Sequence, residues 1–260
     1  MRKRIKRYAL FDVDLTLISI VSQQLIWKRK PLKGELKRKW EELVEAAKAG
    51  TKGYKELVKD LCEIMIGAGV TKKDLQVVAE TIVKKYVRAN FIEAAKYAAK
   101  HGVECWLVSA NEHYLVSEIM KRLNREAGFE VFKGCVGSMG KYGEGGRLIG
   151  LEKIVGADRR TRIAGILAVP KTAELAARGV KIRNAVIFSD NPEDMQGPRW
   201  RGVRYRVFIG AKHRKASAAL PANIGAVFLK AWATMPKRMV QKAKAKRRRE
   251  FVRKILRRVK

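Results

Sequence analysis

Two apolar runs, each ending in a short acidic string, constrain this chain more than anything else in it. Tyr8 to Phe11 leads into Asp12-Val13-Asp14-Leu15-Thr16, and Ala185 to Phe188 leads into Ser189-Asp190-Asn191-Pro192-Glu193-Asp194. A short, continuous apolar run reads as a strand buried on both faces, the kind found in parallel sheets. Carboxylates placed just after such strands collect at the crevice where α/β proteins bind ligands. Gathered there, they repel one another, and a hard cation such as Mg²⁺, which prefers oxygen ligands, relieves that conflict.

Between these strings the periodicity is first helical. Leu36, Trp40, Leu43, Val44 and Ala47 recur at helix spacing, as do Leu57, Leu61, Ile64 and Met65, and then Leu75, Val78, Ala79, Ile82 and Val83. Gly50–Gly53 and Gly67–Val70 punctuate them, and Thr71 with Asp74 three residues on forms a loose capping box. The expectation is a helical module over 18–87, inserted after the first strand. Phe91 to Lys100 reads as a further helix, and Glu104 to Val108 as a strand ending at Ser109. Glycine-rich 131–149 reads as a β-hairpin with a flexible tip, and Thr172 to Ala177 as a helix behind Pro170. Ala185 to Phe188 and Val203 to Ile209 complete the strands.

Four of these segments, in this order, resemble the haloacid dehalogenase superfamily of phosphohydrolases. They are Asp12-Val13-Asp14-Leu15-Thr16; Val108-Ser109-Ala110-Asn111; Lys171 at a helix start; and Ser189-Asp190 with Asp194. The helical insertion, and the string Ser109 to Leu115, are similar to the phosphoserine-phosphatase-like branch with its type 1 cap. The resemblance implies an α/β fold with a Rossmann-like parallel sheet. The core would comprise 1–17 and 88–235, the cap 18–87, and a basic extension 236–260. It implies Mg²⁺-dependent hydrolysis of a small phosphomonoester through an aspartyl-phosphate. Asp12 would be the nucleophile, and Asp14 the acid that protonates the leaving oxygen and then activates water. Asp12, the carbonyl of Asp14, and Asp190 would hold the metal. Asp194 would orient metal-bound water or Lys171. Thr16 and Ser109 would bond phosphoryl oxygens, and Lys171, preferred over Lys153, would offset their charge. Asn111 and Glu112 either line the site or cap a helix.

The chain departs from that branch in one respect that bears on substrate. Leu15 to Gly34 contains no acid to receive a substrate ammonium group. It carries Trp27, Lys28, Arg29, Lys30 and Lys33 instead, so cations are expected to face the substrate.

Charge sets the chain apart as well. There are 58 Lys and Arg against 25 Asp and Glu, a net charge of +33. No acid lies between Asp194 and Glu250. Such an excess attracts polyanions whatever the fold. Arg199, Arg201, Arg204 and Arg206, interleaved with Trp200 and Tyr205, suit single-stranded nucleic acid, although the alternation there also reads as a plain strand. Residues 236–260, including Arg247, Arg248 and Arg249, form a basic amphipathic helix with Phe251, Val252, Ile255, Leu256 and Val259 on one face. No apolar stretch reaches the ~20 residues of a membrane span. Cys62, Cys105 and Cys135 lack CxxC spacing, which argues against a zinc or disulfide framework and for the cytoplasm.

Overall fold

The computed structural model describes residues 6–157, 159–190, 200, 203 and 205–208. In chain order the elements are β1 (Arg7–Asp12), α1 (Ser22–Arg29), α2 (Gly34–Ala49), α3 (Tyr54–Gly67), α4 (Lys72–Lys85), α5 (Ala89–Lys100), β2 (Val103–Glu112) and α6 (His113–Ala127). They continue with β3 (Phe132–Tyr142), β4 (Leu148–Val155), β5 (Thr161–Ile163), β6 (Ile166–Val169), α7 (Lys171–Ala177), β7 (Ala185–Ser189) and β8 (Tyr205–Phe208). The strands form one sheet in the order β5-β6-β4-β3-β2-β1-β7-β8. From β3 to β8 every pairing is parallel. The β3–β4 and β5–β6 hairpins add the antiparallel pairings. The fold is α/β with a mostly parallel sheet, as the sequence predicts.

The central position of β1 explains its unbroken apolar run. Ala9 and Phe11 pack into a cluster on one face with Phe91, Leu107, Phe132 and Phe188. Tyr8 and Leu10 pack on the other with Trp106, Val136, Leu175 and Ile187. With both faces covered, no position on the strand can be polar until its end.

Helices α1 to α4 leave and rejoin the sheet at one point. Ile18 bridges Val87, Ser19 N donates to Tyr86 O at 2.9 Å, and Arg88 N donates to Leu17 O at 2.9 Å. Leu75, Val78, Ala79 and Ile82 of α4 share the cluster that holds Phe11, Leu115 and Phe132. The inserted helices and the sheet thus have one continuous apolar core.

The β3–β4 hairpin is present, but its tip is not free as expected. Leu148 N donates to Val70 O at 2.9 Å, Thr71 bridges Arg147, and Lys72 Nζ lies 4.7 Å from the centre of the Tyr142 ring. The loop between α3 and α4 therefore seats the glycine-rich tip.

Asp74 organises the same corner. It completes the capping box with Thr71, and its buried carboxylate meets Arg29 Nε at 2.8 Å and Lys30 Nζ at 3.6 Å. Burial pushes its pKa up, but the Thr71 bonds and the two cations outweigh that and hold it below the ordinary carboxylate value. Asp74→Ala should destabilise the protein by about 2 kcal/mol, since a cap bond and an ion pair are lost together. That corresponds to a melting temperature lower by about 4–8 °C in a chain of this size. A depressed folded-state pKa contributes stability at neutral pH that is lost as pH falls through it. The gap between wild type and Asp74→Ala should therefore close in acid, as thermal melts across pH will report.

Candidate active site

The site forms where β1, β2 and β7 end together. After Asp12 the chain turns back on itself within five residues. Ile18 N closes the turn on Val13 O at 3.0 Å, and Leu15 takes the left-handed conformation at φ 55°. This turn sets Asp12, Asp14 and Thr16 around the crevice.

Asp12 is 9% exposed, with Lys171 Nζ 3.4 Å from Oδ1 and Ser189 Oγ donating to Oδ2 at 3.4 Å. Lys171, itself buried, opens α7, the helix behind Pro170. Lys153 pairs instead with Glu174 at 2.8 Å. Of the two lysines, Lys171 is the one that meets Asp12.

Thr16 lies at the crevice with its hydroxyl already engaged. Its buried hydroxyl donates to Asp190 Oδ1 at 3.0 Å and accepts from Asp190 N at 2.9 Å. Thr16 thus orients Asp190, and its one proton is committed there rather than to a phosphoryl oxygen. Ser109 Oγ accepts from Asn111 N at 3.1 Å, which leaves its own proton available.

Asp14 sits in a dense polar network. Ser22 N and Ser22 Oγ donate to its two oxygens at 3.3 and 3.2 Å, and Asn111 Nδ2 donates to Oδ2 at 3.0 Å. Gln23 Nε2 donates to Asn111 Oδ1 at 2.5 Å. Burial pushes Asp14 up to about 6 against the pull of these donors, and the charge of Asp190 adds to the rise. Asp14 can therefore exist in both protonation states near neutrality, as an acid–base group must.

The alternatives left open for Asn111 and Glu112 divide between them. Asn111 joins the site. Glu112 caps α6, accepting from Leu115 N at 2.9 Å. Gly137 makes the close packing here possible, because a Cβ on it would lie 2.8 Å from both Asn111 O and His113 Cα. A cavity of about 20 Å³, room for a water or two, adjoins the network and is lined by Gln23, Ile26, Leu61, Met65, Asn111 and Leu148 among others.

Among the described residues, two of the cations expected to face the substrate are engaged elsewhere. Arg29 and Lys30 turn to Asp74, and Trp27 packs edge-on against Trp40 at 5.5 Å. The inserted segment meets the site with neutral Ser22 and Gln23. Both residues, and Arg88, which donates to Leu15 O at 3.2 Å, are missed by motif reading. The available signal is the polar interruption at Ser22-Gln23-Gln24 within an otherwise apolar stretch.

The three groups expected to hold the metal, the carboxylates of Asp12 and Asp190 and the main-chain carbonyl of Asp14, are all oxygen donors, the chemistry that suits a hard cation. The mutual repulsion of Asp14 and Asp190 is what such a cation would relieve. Among the described residues, no three His, Cys, Asp or Glu side chains cluster for a metal. Asp194, Arg199, Arg201, Arg204, Arg247, Arg248 and Arg249 lie outside the described residues. Arg206 is within them and is buried, its guanidinium donating to Trp200 O, so it does not belong to an open polyanion surface.

The sequence profile of the haloacid dehalogenase-like hydrolases matches residues 9–199. The chain belongs to this family. None of the curated proteins matches its sequence. Solved structures share the haloacid dehalogenase fold at low identity. A phosphoserine phosphohydrolase-like protein from Francisella tularensis subsp. tularensis SCHU S4 aligns with TM-score 0.60 and 15% identity, over 84% of this chain and 94% of its own. A protein of unknown function from Bordetella pertussis Tohama I gives 0.56 and 18%, over 82% and 95%. Phosphoserine phosphatase from T. onnurineus gives 0.51 and 13%, over 81% and 86%. Among the described residues of this family member, no helix is long and apolar enough to cross a membrane.

Proposed function

We propose that the protein is a Mg²⁺-dependent phosphomonoester hydrolase that works through an aspartyl-phosphate on Asp12. The observation that carries this is the convergence of Asp12, Asp14, Lys171 and Asp190, from two strand ends and one helix start, onto one buried crevice. Asp12 attacks phosphorus while Lys171 offsets the charge that gathers on the phosphoryl oxygens. Asp14 gives its proton to the departing oxygen and later takes one from the water that attacks the phosphorylated Asp12. Mg²⁺, held by Asp12, Asp190 and the carbonyl of Asp14, would supply charge neutralisation when bound; Asp194 would orient metal-bound water or Lys171. Helices α1 to α4, over 18–87, act as the cap on a core of 1–17 and 88–235. Cys62, Cys105 and Cys135 are free and buried, which suits a reducing cytoplasm.

The substrate is other than phosphoserine in this reading. Its ammonium would need an acid, and Glu112, the acid lining the cavity, already caps α6. A phosphate-release screen over alkyl, aryl and sugar phosphates and phosphorylated oligonucleotides tests the proposal. Turnover with Mg²⁺ that is lost in EDTA and restored by Mg²⁺ supports it; no release from any of them overturns it.

A second reading, polyanion binding by the basic extension, is favoured by the net charge of +33. If residues 236–260 contact RNA or DNA, their deletion should weaken binding and flatten its salt dependence. Each lost phosphate contact removes a log–log slope of about 0.7 on single strands. Phosphatase turnover of a small substrate should stay within about threefold, because the site is built from other segments. Filter binding at several salt concentrations measures the slope, and an unchanged slope would move the polyanion contacts to the body of the protein.

A further inference from the structure

We propose that Asn111, oriented by Gln23, is the positioning residue for Asp14, so that α1 of the inserted segment takes part in aiming the general acid. This rests on the phosphohydrolase reading above. The geometry is specific. Asn111 Oδ1 accepts from Gln23 Nε2 at 2.5 Å, so Nδ2 is the atom left to face Asp14. The reversed amide would set an oxygen against a carboxylate oxygen and bring two donors together at Gln23. Asn111 Nδ2 also meets Ser22 Oγ at 3.0 Å, and Ser22 Oγ in turn meets the same Asp14 oxygen, Oδ2, at 3.2 Å.

Asp14 Oδ2 therefore receives two donors, whereas Oδ1 receives one, from Ser22 N at 3.3 Å. These bonds fix the carboxyl plane, and the less engaged Oδ1 is the oxygen assigned here to hand over the proton. As the P–O bond breaks, its electron pair stays on the departing oxygen, which takes the proton from Oδ1. The carboxylate left behind is held by the Asn111 and Ser22 donors. Asn111 is itself held in place: its backbone N–H bonds Ser109 Oγ, and Gly137 leaves room for its carbonyl.

The role predicts a dependence on leaving group that loss of packing would not produce. An alkyl phosphate leaves as a strong base and needs the proton; p-nitrophenyl phosphate leaves as a weak base and hardly needs it. For Asn111→Ala, kcat/KM should fall about 30-fold on an alkyl phosphate, a fraction of what a general acid supplies, and only about threefold on p-nitrophenyl phosphate. Gln23→Ala keeps Asn111 but frees its amide to rotate. It should show the same selectivity at about fivefold, and in the double variant the losses should not add.

Equal losses on both substrates would overturn the positioning role while the hydrolase reading stood. Should Asn111→Ala fail to fold, a wild-type ratio of the two substrates in Gln23→Ala would overturn it equally. The alkyl and aryl esters are taken from those the wild type turns over in the screen; release from none of the screened esters would bring down the hydrolase reading and this inference with it.

Discussion

Asp12→Asn is expected to leave a folded protein that no longer turns over any monoester used by the wild type. The carboxamide keeps the shape of the side chain and an oxygen that Lys171 and Ser189 can still reach. It lacks the charge and the nucleophilic oxygen that attack on phosphorus needs. Losing a nucleophile of this kind costs about 10⁴-fold or more in kcat/KM. Circular dichroism should match the wild type, because Asp12 ends β1 and the apolar residues before it hold the strand. Activity in Asp12→Asn within about tenfold of wild type would place the nucleophile elsewhere.

Lys171→Met is the second large effect. The ammonium group lies buried 3.4 Å from Asp12, where, in the proposed mechanism, it would stabilise negative charge that grows on the phosphoryl group during attack. In a site closed to water such a charge is worth about 10²–10³ in rate. Lys171→Arg should recover part of that loss, since charge is kept and shape is not. Lys153→Met is the comparison. Lys153 bonds Glu174, so its removal should change stability more than chemistry. Steady-state kinetics on the three variants separate the two lysines, and a larger loss for Lys153→Met would reverse the assignment.

The sheet was legible because its central strands are covered on both faces. Tyr8 to Phe11 and Ala185 to Phe188 must be apolar throughout, and their polar ends then stand out. Thr71 and Asp74 gave away the start of α4 for an equally local reason, a capping box that closes within four residues. Asp12, Asp14, Lys171 and Asp190 follow from motif order, because each sits next to a strand end or helix start.

What escaped the sequence depends on contacts between distant segments. Nothing local tells that the Thr16 hydroxyl is taken by Asp190, 174 residues away. The amide of Asn111 finds Asp14 and Gln23 only after β2 and α1 meet. Arg29 and Lys30 look available for a substrate until α4 brings Asp74 to them. The hairpin tip, rich in glycine, reads as free because its partner Val70 lies in a different part of the chain. In Arg206 the charge pattern hides a buried side chain, since alternation on a strand turns every second residue inward.

The central claim is a covalent phosphoryl group on Asp12. The direct measurement is to quench the protein in acid during turnover of a fast substrate, reduce the acyl phosphate with borohydride, and locate the modified residue by peptide mass spectrometry. Asp12 alone should be converted to homoserine, dependent on substrate and Mg²⁺, with no conversion in Asp12→Asn. Modification at another residue, or none in a protein that is turning substrate over, would contradict it.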